Sequence, residues 1–460
     1  MLDIKTHLNP ADLTHLISRF WKLSGEKILD IENNYDVSKG TPVYTVDGRY
    51  TTRGWTEWTQ GFQFGSAILQ YDATNDEQFL NIGRESTVKK MAPHISHVGV
   101  HDHGFNNVST YGNLLRLMKE NKIPFDAEEK NFYELALKIS GAVQAARWSV
   151  TKTGGFIYSF NGPHSLFVDT VRSVRSLVLS YKLGHIFQAE NDVRVSLLGR
   201  ALQHLHATAS YSVYYGEGRD GYDLRGRTAH ESVFNMNDGQ YRCPNSQQGF
   251  SGFTTWTRGL AWAICGFAEE LEFLHSLSEQ DLDAFGGHTK VEAWMLRAAE
   301  ATSDFYIENT TTDGIPYWDT GAPGLHNLGD YLQRTADPYN AHEPVDSSAA
   351  AIASQGLLRL GRYLQQKGEK ERGERYWQAG LTVVQTLLNE PYISTRQDHQ
   401  GLLLHSVYHW PNRWDFVPQG SKVANSESSM WGDYHLREVV LHLDKINRGE
   451  PYYTFFNCVQ

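Results

Sequence analysis

Apolar residues recur at three- and four-residue spacing along much of the chain, which is the period of an amphipathic helix. The pattern is clear over residues 132–139, 195–202 and 349–360. No run of comparable length alternates apolar and polar residues in the way that a half-buried β-strand does. The sequence therefore predicts an all-α fold, with minor strands confined to loops.

A short loop motif precedes a predicted helix six times. In each case an aromatic or polar residue is followed by Gly or Asp just before an apolar helical segment begins. These six lead segments are 58–62, 101–105, 169–170, 256–259, 346–349 and 431–434. The chain between consecutive lead segments has room for one helix in each direction, which makes an antiparallel helical hairpin. Six hairpins in a ring form an (α/α)6 barrel, and this is the fold we predict.

The barrel is expected to be a single catalytic domain spanning residues 1–460. The first 50 residues match none of the lead segments, and we expect them to add a helix and an extended arm, residues 42–46, to the rim of the barrel or to a subunit contact. The inner helices of such a barrel begin on one face, so the lead segments would converge there. Helix N-termini favour anionic ligands at that face, although Gly and Asp at one helix start can also be simple caps.

Composition narrows the classes of partner. The net charge is -11 and no basic run is present, which argues against nucleic acid and anionic membranes. No segment reaches eighteen uninterrupted apolar residues, and the N-terminus lacks the pattern of a secretion signal, so a cytoplasmic protein is expected. Aromatic residues make up 12% of the chain, with 12 Trp and 24 Tyr. Such side chains suit either sugar rings or a large core.

Metal and thiol chemistry are not expected. Histidines crowd into residues 94–103, and His405 and His409 have the spacing of two ligands on one helix, but no zinc motif with a glutamate accompanies them. Three cysteines are too few and too scattered for a disulfide framework or a thiolate site. Cys265 lies in an apolar helical segment and is expected to be buried and unreactive. We predict neither a metal nor a cofactor.

Six stretches carry a resemblance to a known enzyme family. His101-Asp102-His103-Gly104-Phe105 resembles the family's His-Asp-x-Gly-Phe segment, and residues 256–267 resemble its Trp-x-Arg-Gly-Gln-Ala-Trp-x-Ile-Tyr-Gly-Phe segment. The remaining matches are residues 168–170, 316–319, 346–350 and 431–434. Together and in this order they resemble glycoside hydrolase family 88, the unsaturated glucuronyl hydrolases, with family 105 as a more distant relative.

The resemblance implies a reaction that differs from ordinary glycoside hydrolysis. Enzymes of this family remove a 4,5-unsaturated uronic acid from the non-reducing end of oligosaccharides that lyases produce. An acid donates a proton to C4, water adds at C5, and the resulting hemiketal opens. The resemblance assigns the acid/base role to Asp169, and Asp102 is expected to hold sugar hydroxyls and to raise the pKa of Asp169.

The same resemblance suggests the residues that bind substrate. Arg258 is expected to donate N–H groups to the substrate carboxylate, with Gln248 as a neutral companion. The other candidates are His101, His230, Trp58, Trp148, Trp256 and Trp262, the four tryptophans being either sugar platforms or core residues. The expected partner is an oligosaccharide with a terminal uronate, and the protein is expected to be a monomer or a small homo-oligomer.

Some positions depart from the family. Asp169-Thr170 is usually followed by Met-Met-Asn, whereas this chain has Val171-Arg172-Ser173. Gln247 replaces a histidine, and Leu260 replaces a glutamine. Arg172 either lies near Asp169, where it would lower the pKa of the acid, or forms a structural ion pair at the barrel wall. These departures leave two alternatives open: an inverting exo-β-glucuronidase that acts on saturated glucuronides, and a sugar-binding toroid without catalysis.

Overall fold

The computed structural model describes residues 1–53 and 57–459. In chain order its α-helices are α1 (Thr14–Asn34), α2 (Gln60–Thr74), α3 (Glu77–Lys90), α4 (Ala92–Ile95), α5 (His103–Asn107), α6 (Asn113–Lys119), α7 (Ala127–Ala146), α8 (Thr170–Ser173), α9 (Arg175–Lys182), α10 (Leu197–Ala207), α11 (Thr257–Leu274), α12 (Glu279–Leu282), α13 (His288–Asn309), α14 (Ser347–Gln366), α15 (Lys370–Leu387) and α16 (Met430–Asn447). The π-helical turn Val108–Gly112 joins α5 to α6, and a second one, Thr208–Ser212, follows α10.

The strands are short and form four antiparallel sheets. They are β1 (Tyr44–Val46), β2 (Arg49–Thr51), β3 (Trp148–Thr151), β4 (Gly154–Ile157), β5 (Ser165–Phe167), β6 (Phe187–Gln188), β7 (Arg194–Val195), β8 (Glu231–Asn235) and β9 (Gln240–Asn245). Three sheets are two-stranded hairpins, and the fourth has the order β5-β8-β9. All of them lie in connections between helices, so the predicted all-α fold with minor strands in loops is confirmed.

Within the described residues, six inner helical segments form a closed ring. They are α2, α5–α6, α8–α9, α11, α14 and α16, and each begins at one of the six lead segments. Neighbours in chain order pack against one another, and the last segment, α16, packs back on α2. Hydrophobic and small side chains on these helices are almost wholly buried, because each helix has neighbours on both sides.

An outer layer completes the (α/α)6 barrel. The helices α3, α7, α10, α13 and α15 each run back along the outside of the ring and pack on an inner segment. The sixth outer helix is α1, which packs on α2 and α16 and buries Phe20, Trp21 and Ile28. Residues 1–50 therefore contribute more than a rim: α1 is part of the outer wall, and only the β1–β2 hairpin lies at the rim, where Tyr44 pairs with Ser429 just before α16.

Among the described residues, no helix combines the length and the apolar character that crossing a membrane requires. Cys265 is fully buried in α11, and burial raises the pKa of its thiol to about 12, as its apolar surroundings predicted.

Candidate active site

The starts of the inner helices surround a cavity of about 440 Å³. Its described lining residues are Trp58, His101, Asp102, Phe105, Phe160, Phe167, Asp169, Ser246, Gln247, Gln248, Trp256, Arg258, Trp262, Tyr408, His409, Asn412 and Trp414. Aromatic rings make up much of this wall, with a few polar groups between them, which is the usual composition of a small-ligand site. Eight of the ten site residues that the sequence suggested line this cavity.

Local structure brings Asp169 and His230 side by side. β5 leads directly into Asp169, and His230 lies directly before β8. The two strands pair antiparallel, with Phe167 opposite Glu231, and the Val168 N–H donates to the His230 carbonyl at 2.9 Å. Asp102 reaches the same place from the start of α5, because α5 and α8 are neighbours in the inner ring.

His101 lies between the two carboxyl groups. Its Nε2 is 3.1 Å from Asp169 Oδ2 and 3.7 Å from Asp102 Oδ1. All three side chains are buried. The ring of His101 stacks on Phe160, with centroids 5.3 Å apart, and this contact fixes its plane. The three groups thus form a compact buried unit in which one proton can be shared.

The surroundings push the two carboxyl pKa values apart. Burial raises the pKa of Asp102 to about 6, and the negative charge of Asp169 adds to that effect while His101 opposes it. Burial also raises the pKa of Asp169, but the hydrogen bond and charge of His101, together with His230, lower it below its ordinary value. The expectation that Asp169 has the raised pKa is wrong for the substrate-free protein, because the hydrogen-bond donors face Asp169 rather than Asp102.

His230 has a defined tautomer. Its Nδ1 accepts the backbone N–H groups of Gln247 at 3.0 Å and of Gln248 at 3.3 Å, so the neutral ring carries its proton on Nε2. Burial lowers the pKa of His230 to about 4, which keeps the ring neutral. Nε2 points towards Asp169 Oδ1 at a distance of 3.9 Å.

Several buried polar atoms around the cavity have no hydrogen-bond partner within the described part of the chain. They are Asp102 Oδ2, Asp169 Oδ1, His101 Nδ1, His230 Nε2 and His409 Nδ1. A buried donor or acceptor without a partner costs free energy, so such groups commonly bind water or a ligand. Their convergence on one cavity indicates a site for a ligand rich in hydroxyl groups.

Arg258 lines the cavity, but its guanidinium is already bound within the protein. It donates to Asp346 Oδ2 at 2.9 Å and to Gln248 Oε1 at 2.8 Å, and it also donates to the carbonyls of Val407 and Tyr408. The Arg258 N–H groups that we expected to bind a substrate carboxylate are therefore already bound to acceptors of the protein. Because Gln248 accepts through Oε1, its amide N–H groups are left for a ligand.

The candidate tryptophans divide into two groups. Trp58, Trp256 and Trp262 line the cavity. Trp148 does not: it lies in β3, where Arg200 of α10 sits 4.1 Å above its ring. Of the two roles that the sequence left open for Trp148, the structure favours packing over a sugar platform, because this residue belongs to a hairpin packed on an outer helix.

Loop residues that the helical pattern could not reveal form one wall. Tyr408, His409, Asn412 and Trp414 follow α14 and α15 in the chain and line the cavity. Asp415 holds this loop by accepting the backbone N–H groups of Tyr408 and His409. The cluster of aromatic residues at 408–414 was the only sequence signal. Phe160 and Phe167 were missed for the same reason, since they lie in a loop and a strand.

Arg172 forms a buried ion cluster beneath the cavity. It donates to both carboxylate oxygens of Glu269 at 2.9 Å, to Glu438, and to His435 Nε2. The structural ion pair is confirmed, and it lies between inner helices α8, α11 and α16 of the barrel wall. The two glutamates neutralise the charge of Arg172. The pKa of Asp169 is lowered by His101 and His230, not by Arg172.

The grouped histidines have separate structural partners. His94 is bonded to Gln60 and Asn106, and His103 to Ser140 and the carbonyl of His97. Within the described ranges, the one group of donors that could hold a cation is His101, Asp102 and Asp169, whose ligand atoms lie within 4.8 Å of one another. In this group His101 and Asp169 are already hydrogen-bonded to each other. That the protein binds no metal remains a prediction.

Comparison with known proteins points to one class. No protein-family model matches the chain. An unsaturated glucuronyl hydrolase of Formosa agariphila is 24% identical over 390 residues, covering 84% of this chain and 79% of that protein. An unsaturated chondroitin disaccharide hydrolase of Streptococcus pneumoniae is 25% identical over 427 residues, covering 91% and 90%. The crystal structure of the unsaturated glucuronyl hydrolase of Bacillus sp. GL1 superposes with a TM-score of 0.67 at 21% identity, covering 93% of this chain and 97% of that one.

The (α/α)6 barrel and its buried carboxyl pair, taken with these relatives, make the chain a hydrolase of the glycosidase type. Within that class, the proteins that it is similar to are the unsaturated glucuronyl hydrolases.

Proposed function

We propose that this protein removes a 4,5-unsaturated uronic acid from the non-reducing end of oligosaccharides that polysaccharide lyases generate. The observation that carries the proposal is the buried unit of Asp102, His101 and Asp169 at one end of an aromatic cavity of about 440 Å³. A cavity of this size encloses a terminal sugar ring. The relatives named as unsaturated glucuronyl and chondroitin disaccharide hydrolases support this choice of substrate.

Neutral donors bind the substrate carboxylate in this proposal. The first donor is the amide of Gln248, which lines the cavity. The second is the Nε2–H of His230, which lies 3.9 Å from Asp169 Oδ1. Arg258 holds the Gln248 side chain by donating to its Oε1. The buried positive charge of Arg258 still favours an anion nearby, since charges interact strongly at low effective dielectric. Arg258 thus acts through Gln248 as a positioning residue.

The proton for the reaction starts within the unit of His101 and the two carboxyl groups. Burial alone would lower the pKa of His101, but Asp102 and the hydrogen bond to Asp169 raise it above its ordinary value, so His101 holds a proton more readily than Asp102, whose pKa is raised to about 6. The substrate carboxylate adds a negative charge to the cavity, which raises the pKa of nearby carboxyl groups and favours protonated Asp169. Asp169 then donates this proton to C4, and water adds to C5 and returns a proton to the Asp169 carboxylate. The hemiketal at C5 opens by breaking the C5–O5 bond, which gives a ketone at C5 and leaves C1 as a hemiacetal. This hemiacetal collapses to an aldehyde, which breaks the C1–O bond and releases the neighbouring sugar with a proton on its oxygen.

The geometry argues against the inverting β-glucuronidase. An inverting enzyme keeps its two carboxyl groups about 6.5–9.5 Å apart so that a water molecule fits beside the sugar. Ligand atoms of Asp102 and Asp169 lie within 4.8 Å of each other here. A purely sugar-binding role does not require two carboxyl groups bridged by a histidine, an arrangement that general acid/base catalysis uses.

The test is a direct assay of the double bond. We expect the ultraviolet absorbance of a lyase-generated unsaturated disaccharide to decay in the presence of the protein. Asp169→Asn should reduce the rate by about 10²–10⁴-fold, since that is the usual contribution of general acid/base catalysis. The matched control is Asp238→Asn, which changes an exposed aspartate in the turn between β8 and β9 and should retain the parental rate. Cleavage of a saturated glucuronide with no decay of the unsaturated substrate would refute the proposal.

A further inference from the structure

The helices that carry the two aspartates touch each other directly. Asp102 precedes α5 and Asp169 precedes α8. The Gly104 backbone lies so close to Ser173 that a Cβ atom at residue 104 would lie 2.5 Å from Ser173 Cα and 2.6 Å from its carbonyl oxygen. Real Cβ atoms do not approach this closely, so only glycine permits the contact. No side chain of residue 104 separates the two helices at this point, so the polar groups of the Gly104 backbone are within reach of residues that follow Asp169.

Polar contacts to the Gly104 backbone fix this approach. The Gly104 N–H donates to Ser173 Oγ at 2.9 Å, and the Arg175 guanidinium donates to the Gly104 carbonyl at 2.8 Å. Ser173 Oγ in turn donates to Gln144 Oε1 of α7 at 3.0 Å. These side chains are almost wholly buried, so water does not compete for the bonds. The backbone N–H and carbonyl of Gly104, which lies two residues after Asp102, are therefore bound by Ser173 and Arg175. These two residues lie four and six positions after Asp169.

We propose that Ser173 is a positioning residue for catalysis, whose hydroxyl sets the separation of Asp102 and Asp169 by accepting the Gly104 N–H. This inference rests on the proposed function of the carboxyl pair. Ser173 stands where the family that the sequence resembles usually has asparagine, so the bond is a property of this chain's own residues. A displacement of reacting groups by about 1 Å can change a rate by about 10²-fold, so the bond matters to the reaction as well as to folding.

A second serine offers a matched control. Ser176 lies one turn further along in α9, is equally buried, and donates its hydroxyl to the Ser173 carbonyl at 2.9 Å. Its hydrogen bond stays within the local helical segment and does not reach α5. Replacing either serine by alanine removes one buried hydroxyl, but only the change at Ser173 removes a contact between the two aspartate-bearing helices.

The experiment compares Ser173→Ala, Ser173→Thr and Ser176→Ala. We expect Ser173→Ala to reduce kcat on the unsaturated disaccharide by about 10- to 100-fold with little change in KM, and to shift the pH profile of kcat. Ser173→Thr keeps the hydroxyl and should keep most of the parental kcat and pH profile. Ser176→Ala should match the parent. If Ser173→Ala shows no cooperative thermal transition, Ser173→Cys replaces it, because a thiol is a weaker acceptor of similar size and should give a smaller fall.

A second readout does not depend on turnover. ¹³C NMR titration of the aspartate carboxyl carbons in the substrate-free protein, assigned with Asp102→Asn, reports the pKa of Asp102 directly. The charged or titratable groups that face the pair are His101, Arg147, His204 and His230, and none of them changes in these variants. We expect the Asp102 resonance to titrate at a different pH in Ser173→Ala and at the parental pH in Ser176→Ala.

The outcomes separate the two proposals. A parent that leaves the double bond intact refutes the proposed function, while the titration still tests whether Ser173 sets the geometry of the pair. Parental kcat, pH profile and Asp102 titration in folded Ser173→Ala would overturn the positioning role. Equal losses in Ser173→Ala and Ser176→Ala, or in Ser173→Ala and Ser173→Thr, would overturn it too, because they would show that packing rather than the hydrogen bond matters.

Discussion

At the scale of single residues, Asp102 and Asp169 show how surroundings differentiate identical groups. Both are buried, and each has one oxygen without a hydrogen-bond partner among the described residues, but Asp169 Oδ2 is hydrogen-bonded to His101 Nε2 at 3.1 Å, whereas Asp102 Oδ1 lies 3.7 Å from that nitrogen. A carboxylate with hydrogen-bond donors keeps its charge, and one without them retains its proton to a higher pH. This asymmetry gives Asp102 the higher pKa of the two carboxyl groups.

The raised pKa of Asp102 predicts a pH-dependent stability. The ordinary pKa of an aspartate is 3.8, whereas that of Asp102 in the folded protein is about 6, so between these values the folded state binds more protons than the unfolded state. The free energy of unfolding should therefore fall as pH rises through this window, by about 3 kcal/mol from this group. Asp102→Asn removes the effect, so urea unfolding should show a gain in stability at neutral pH that is absent near a pH of about 4. An equal gain at both pH values would contradict the raised pKa.

Replacement of Arg258 by lysine should weaken substrate binding rather than prevent folding. Arg258→Lys keeps the positive charge but cannot reach Asp346, Gln248 and two carbonyls together, since an ammonium lacks the planar fork. The Gln248 amide loses its fixed orientation, and we expect KM to rise by about tenfold or more, with a smaller change in kcat. Steady-state kinetics would check this. Arg372→Lys, which changes an exposed arginine on the outer helix α15, is the control and should leave KM unchanged.

At the scale of helices, charged residues inside the ring replace part of an apolar core. Arg172 joins α8 to Glu269 of α11 and Glu438 of α16, and all three side chains are at most 2% exposed. Charges at such depth are tolerated only when they are paired and hydrogen-bonded. The cluster therefore ties the short helix behind Asp169 to two other inner helices.

Breaking this cluster should be costly. Arg172→Met leaves two buried glutamates without their main partner, and we expect the free energy of unfolding to fall by about 3–5 kcal/mol. The control is Arg297→Met, which breaks a solvent-exposed ion pair with Glu217 and should cost less than about 1 kcal/mol. Urea unfolding of both variants at neutral pH gives the comparison. Similar losses in the two variants would show that the buried cluster contributes no more than a surface pair.

At the scale of the whole molecule, the first and last helices close the barrel together. α1 is the outer helix that covers α16 and α2, and α16 completes the inner ring against α2. The ring closes only when helices from the two ends of the chain pack together. Folding therefore depends on long-range contacts. The site depends on closure as well, because Trp58 stacks on Trp431 with centroids 5.0 Å apart.

Removal of residues 1–34 should therefore destabilise the whole barrel. The deletion exposes the apolar surface that Phe20, Trp21 and Ile28 of α1 cover. We expect a truncated chain to be aggregation-prone, or to unfold at a much lower temperature than the full chain. The full chain should unfold in one cooperative transition by circular dichroism. A truncated protein with parental thermal stability would show that α1 is dispensable.

The sequence by itself determined the architecture and the position of the carboxyl pair. Helical periodicity and six lead segments are local signals, and the ring follows because each hairpin must bury its apolar face against the next. Asp102 and Asp169, 67 positions apart, were expected at one face because both stand at starts of inner helices. The burial of Cys265 followed from the same reasoning, whereas the ion pair of Arg172 was one of two alternatives that the sequence left open.

Only the tertiary structure decided how the side chains of the site are used. Arg258 and Trp148 have the right residue types for binding sugar, but their partners, Asp346 and Arg200, come from distant parts of the chain. The pKa of Asp102 lies above that of Asp169 because His101 is hydrogen-bonded to the Asp169 carboxylate and lies farther from Asp102. Residues 408–414 form a wall of the cavity from a loop without periodicity. Hydrogen-bond partners and burial are properties of three-dimensional neighbours, and a one-dimensional pattern carries no record of them.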